Sequence, residues 1–204
     1  MAGADAWAFK LFSFFVREGG VDPRLLQVLG IPRETRYEGH FGKVLDREEA
    51  TAFDFYMEGE SGRRIFFDLK LAETGFARGA DDERHRYGLE RLYRPHLQEH
   101  VDEKWLEPAT VLAHYEVLRK LSYLGRHADS GLVFIFPRAN KHLMAAETPI
   151  KQIVSKRLAP RLAIFYLEYL VERILAAVAD DESLRRHFLK FRDQYVAIAS
   201  APMT

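Results

Sequence analysis

Two short stretches in which apolar and polar residues alternate, Phe53–Met57 and Arg64–Leu71, flank the glycine-containing segment Glu58-Gly59-Glu60-Ser61-Gly62. Period-two alternation around such a loop predicts an antiparallel hairpin. Ahead of it, Trp7, Leu11, Phe14 and Phe15 recur at helical spacing and predict an amphipathic helix over 6–18, ended by Gly19-Gly20. Asp22 as N-cap and Pro23 at the first position start a second, short helix through Leu25, Leu26 and Val28 to Gly30. A strand fits residues 40–46. The charged segment 84–99, interrupted by Pro95, reads as an exposed helix or a lid, and Ala109–Gly125, entered through Pro108, as one long amphipathic helix. Gly131–Pro137 is a continuous apolar run, the mark of a central strand covered on both faces, and Asn140-Lys141-His142 after it reads as a polar loop. Periodicity leaves the stretch from Arg161 open between a fifth strand followed by a helix and a single apolar helix. Asp180-Asp181-Glu182-Ser183 begins a last helix whose Leu184, Phe188, Phe191 and Tyr195 return to the core.

The order of these elements predicts an α/β domain, a mixed sheet of four or five strands flanked by helices. Its length of 204 residues fits a single domain over 1–204, with N-terminal helices over 1–36, a core over 40–166 and C-terminal helices over 167–204. Hydrophobic residues at 48%, including 15 Phe and 9 Tyr, exclude a disordered chain. No cysteine is present, so any metal must be held by oxygen or imidazole, and a reducing cytoplasm is the expected setting. The apolar run Leu11–Val16 is too short to span a bilayer, and no membrane association is expected. Thirty basic residues against thirty acidic ones leave no net charge to advertise non-specific DNA binding. The eight histidines show no H-x-x-x-H or H-E-x-x-H pair, and no G-x-S-x-G nucleophile setting occurs.

The hairpin carries charge inside its strands. Asp54 lies between Phe53 and Phe55, while Asp68 and Lys70 share the face opposite to Phe67, Leu69 and Leu71. Charged groups on a buried-looking strand give up apolar burial, and a bound divalent cation would offset the loss. An acid near one strand, followed on the next by Asp68-Leu69-Lys70, resembles the PD-(D/E)xK nuclease superfamily, whose core is restriction-endonuclease-like. Leu71-Ala72-Glu73 and Gly75-Phe76 look like the end of that strand in a bacterial branch of the superfamily. The likeness follows the order of elements over roughly residues 40–170 and is close at the hairpin. Tyr115-Glu116-Val117-Leu118-Arg119-Lys120 is similar to the family's Y-Q-x-x-R-N pattern, with Glu116 where glutamine is usual and Lys120 where asparagine is usual.

What the resemblance implies is an αβββαβ core, which favours the fifth strand at Arg161–Tyr166, and a Mg²⁺- or Mn²⁺-dependent nuclease acting on nucleic acid, with DNA the expected substrate. Asp54, Asp68 and the carbonyl of Leu69 would be the metal ligands, and Lys70 the residue that stabilises charge on the phosphate or helps deprotonate water. Glu73 either orients Lys70 or binds a second metal; Glu18 or Glu38 would be a helix-borne acid, and Glu48 an extra ligand. Arg119, Glu116 and Tyr115 are the candidate substrate contacts, Arg119 because a guanidinium can fork a phosphate. A homodimer is compatible with this reading. The alternative is an inactive module of the same fold that binds nucleic acid or a protein partner, to which the neutral charge and the altered Tyr115–Lys120 pattern point.

Overall fold

The computed structural model describes residues 4–32, 36–42, 44–46, 51–154 and 157–196. After helix α1 (Ala4–Phe12) and a 3₁₀ turn (Ser13–Phe15), the chain forms a small hairpin of β1 (Val16–Arg17) and β2 (Gly20–Val21), so the first helix stops short of the expected 6–18. Its reversal uses Gly19 and Gly20, both with positive φ. Helix α2 (Pro23–Leu29) begins as anticipated, the Asp22 carboxylate accepting from Arg24 N at 2.8 Å. The expected strand over 40–46 is two strands, β3 (Tyr37–Phe41) and β4 (Val44–Asp46), and only β3 joins the main sheet; β4 pairs with β5 (Thr51–Ala52).

The hairpin of β6 (Phe55–Gly59) and β7 (Arg64–Leu69) is antiparallel, with Phe55 opposite Phe67 and Glu58 opposite Arg64, and Gly62 turns the chain at φ 80°. Next come α3 (Glu83–Gly88), a π-helical turn (Leu89–Tyr93) and α4 (Arg94–Leu97). This segment is no solvated lid: Leu89, Tyr93 and Leu97 are buried. Helix α4 lies so close to the next long helix that a Cβ on Gly125 would stand 1.8 Å from the His96 carbonyl, and only glycine fits.

The expected single helix over 109–125 is divided into α5 (Pro108–Ala113) and α6 (Tyr115–Arg126) at His114. A neighbouring loop causes the break. Gly79 N donates to Leu112 O and Glu116 N donates to Ala77 O, bonds that join the loop to the helix backbone. Strand β8 (Gly131–Phe136) follows, and then α7 (Lys141–Ile153), where a loop was expected: Asn140 caps it by accepting from His142 N and Leu143 N. Strand β9 (Leu162–Tyr166), α8 (Leu167–Ala177), α9 (Glu182–Phe191, capped by Asp181) and a π-helical turn (Arg192–Val196) complete the described chain.

The main sheet has the order β3-β6-β7-β8-β9, antiparallel through β7 and parallel from β7 to β9. Alternation along its strands divides the core between two faces. Phe55, Met57, Phe67, Leu69 and Ile135 pack against the terminal helices, while Tyr56, Phe66, Leu132 and Phe134 pack against the central ones. Asp68, between Phe67 and Leu69, therefore points to the α6 side.

Candidate functional site

Asp54 stands in the bend before β6, and Asp68 is next to last in β7. Continuing the register beyond Phe55 and Phe67 brings the two aspartates alongside each other. Asp54 Oδ2 accepts from Leu69 N at 2.7 Å, which fixes it to the second strand. Burial, and then repulsion by Asp68, push the Asp54 carboxyl up to about 6, against the opposing pull of Leu69 N–H, Lys120 and Lys70.

Helix α6 supplies the other half. Glu116 and Lys120, one turn apart, lie on the same helix face and are 7% and 4% exposed. Lys120 Nζ donates to Asp68 Oδ1 at 2.8 Å and to the Ala52 carbonyl at 2.6 Å, and it lies 4.4 Å from the centre of the Phe53 ring. Glu116 Oε1 accepts from Lys70 Nζ at 2.6 Å and Oε2 accepts from Ala77 N at 2.6 Å. Burial alone would lower the Lys70 pKa, but Asp68 and Glu116 together raise it above the ordinary lysine value. Asp68 itself is 2% exposed; its Oδ2 is buried without a hydrogen bond and lies 4.0 Å from Lys70 Nζ.

Asp54, Asp68, Lys70, Glu116 and the adjoining Leu69 are thus brought together. Glu73 is near enough to Lys70 to add to its field, but its Oε2 accepts from Leu71 N at 2.6 Å and Ala72 N at 3.0 Å. Asn140 Nδ2 donates to the Glu73 carbonyl, tying this loop to the start of α7. Arg119 lies against the Tyr115 ring, 5.7 Å away, and its Nε is buried without a hydrogen bond. The Tyr115 hydroxyl accepts from Tyr93, and its ring meets the His85 ring edge-on. Glu18 is exposed in the first hairpin's turn, and Glu38 is exposed on β3 opposite Glu58. Glu48 lies outside the described residues. The residue that sequence reasoning missed is Lys120. Its signal was present: Glu116 and Lys120 are spaced one turn apart on a helix otherwise rich in buried apolar residues.

Among the described residues, no group of three or more acidic or histidine side chains converges as a ligand set for a metal ion. What does converge is a pair of aspartates, one of whose buried carboxylate oxygens accepts no hydrogen bond. That chemistry fits a hard cation in part: Asp54 and Asp68 suit it, whereas Glu116 has both oxygens and Glu73 has Oε2 committed elsewhere.

A five-stranded mixed sheet between helical layers, with these residues at the end of β7, is a restriction-endonuclease-like arrangement. The model of the family described as Restriction Endonuclease associating with ARP matches residues 5–196, and the chain belongs to that family. No curated protein and no solved structure matches it. No helix among the described residues is long and apolar enough to cross a membrane.

Proposed function

We propose that the chain is a metal-dependent nuclease of the PD-(D/E)xK type, hydrolysing phosphodiester bonds of nucleic acid, with DNA as the first substrate to test. The observation that carries this reading is the buried Oδ2 of Asp68, which accepts no hydrogen bond, beside Asp54, whose proton affinity is raised by burial and by Asp68. A buried carboxylate oxygen with no hydrogen bond, its Lys70 ammonium 4.0 Å away, would gain from a cation bound to it directly. Asp54, Asp68 and the Leu69 carbonyl are the oxygens that would hold Mg²⁺ or Mn²⁺. Such a cation, when bound, supplies charge that acidifies water and offsets negative charge on a phosphate.

The chain's own residues do the rest. Lys70, held between Glu116 and Asp68, keeps its proton, so we assign it stabilisation of charge on the attacked phosphate in preference to proton abstraction. Glu116 positions Lys70 and, through Ala77 N, joins the loop after β7 to α6. Leu69 N holds Asp54 in place. The test is to incubate purified protein with single- and double-stranded DNA and RNA in Mg²⁺ or Mn²⁺, beside Asp68→Ala and Lys70→Met. Cleavage by the wild type alone is expected. Equal cleavage by all three would place the activity elsewhere.

A second reading has its own observation. The two glutamates of the cluster spend their carboxylates inside the protein, as in a module that kept the fold for binding. The family's description names an association with ARP, and we extend a protein partner to this chain on that ground. Inert protein in the cleavage assay, with no response to metal, would favour this reading.

A further inference from the structure

Lys120 sits where a cation would. Its ammonium is bonded to a carboxylate oxygen, Asp68 Oδ1, at 2.8 Å and to a backbone carbonyl, Ala52 O, at 2.6 Å. Carboxylate and carbonyl oxygens are the donors that hard divalent ions take. The Phe53 ring backs the same ammonium at 4.4 Å, and the side chain is 5% exposed. This leaves Asp68 only Oδ2 to offer, while Asp54 has given Oδ2 to Leu69 N. Glu116 and Glu73, the acids that would complete a second ion's shell, are bound to Lys70, Ala77 N and the amides of Leu71 and Ala72.

We propose that Lys120 is a built-in cation occupying Oδ1 of Asp68, so that the site takes one divalent ion and not two. This rests on the metal-site reading above and deepens it: Lys120 is a positioning residue, holding Asp68 so that its remaining oxygen faces the ion. A bound dication beside the Lys120 ammonium would face its repulsion at short range, which excludes a second ion from the Ala52 side.

Counting bound Mn²⁺ by electron paramagnetic resonance on the full chain tests the proposal without reference to activity. The wild type and Lys120→Arg, which keeps the charge, are expected to bind one ion per chain. Lys120→Ser, which vacates both oxygens, is expected to bind two. Asp54→Asn should lose the ion. Two ions on the wild type, or one on a folded Lys120→Ser, would overturn the proposal while the metal-site reading stands. If Lys120→Ser fails to fold, Lys120→Asn, shorter and uncharged, takes its place: two ions support the proposal and one overturns it. No ion on any of them, or an ion that survives Asp54→Asn, would sink the metal-site reading and this proposal together.

Discussion

The sheet face under α1, α2, α8 and α9 is closed by side chains such as Phe55, Met57, Phe67, Leu69, Ile135 and Phe188, and the buried charges among the described residues lie on the other side. On the opposite face, Phe53, Phe66 and Phe134 surround a buried aspartate, a buried lysine and a buried glutamate. One face is held by removal of apolar area from water, where loss of a side chain costs its transfer energy and the cavity left behind. The other is held in part by charges that are tolerable only as a set, since a charge stripped of its partner in a low dielectric is far worse than a void. Stability on the first face is distributed over apolar side chains; the second adds to its own apolar cluster a set of buried charges in which Asp68 and Lys120 depend on each other.

The sharpest way to break the comparison is to remove one charge. Lys120→Met is expected to cost about 3–5 kcal/mol in urea unfolding, because Asp68 is left buried without its one hydrogen-bonded ammonium, Lys70 lying 4.0 Å away. Adding Asp68→Leu to the same chain should recover most of that loss, since both charges are then gone. Phe188→Ala on the apolar face should cost about 3–5 kcal/mol as well, but no second substitution of a neighbour should restore it. A Lys120→Met cost near zero would show that Asp68 is satisfied by something other than Lys120.

A smaller effect comes from pH. The Asp54 carboxyl titrates at about 6 in the folded chain against 3.8 unfolded, so the folded state holds this proton more tightly. Its contribution is fully present below pH 3.8 and is lost as pH rises through 6. At 1.36 kcal/mol per pKa unit, the metal-free protein should lose about 2–3 kcal/mol from this group between pH 4 and 7. Asp54→Asn should flatten that slope in melting curves taken across this range; an unchanged slope would remove Asp54 from the cluster. The smallest effect belongs to Glu73. Its carboxylate serves its own loop, so Glu73→Ala should cost no more than about 1 kcal/mol and leave cleavage by the folded protein largely intact.

The hairpin and strand β8 were legible because alternation and a continuous apolar run record which faces are covered, whereas β9 was favoured over a helix only by the resemblance to the nuclease superfamily. Asp54, Asp68 and Lys70 were legible for the same reason, as charges out of place in that pattern. The division of the long helix at His114 was not, because it depends on amides of Gly79 and Glu116 bonding across to carbonyls of Leu112 and Ala77, and a helical sequence pattern carries no trace of a visiting loop. Helix α7 was hidden by its start: Asn140-Lys141-His142 has loop composition, yet Asn140 is a helix cap, and Pro149 sits within the helix. Lys120 showed in the sequence as a lysine where the family's pattern has asparagine, one helical turn after Glu116. Its meaning needed Asp68 and Ala52, distant in sequence, to be placed against it.

The central claim is that Asp54 and Asp68 form one cation site, and thermal unfolding in Mn²⁺ against chelator tests it directly. A ligand that binds only the folded state stabilises by RT ln(1 + [L]/Kd), about 2.7 kcal/mol at a hundredfold excess over Kd, which for a domain of this size is a rise of roughly 5–11 °C. The wild type should show that rise, and Asp54→Asn and Asp68→Asn should not. A wild-type melting temperature unmoved by millimolar Mn²⁺, or the same rise in all three proteins, would contradict it.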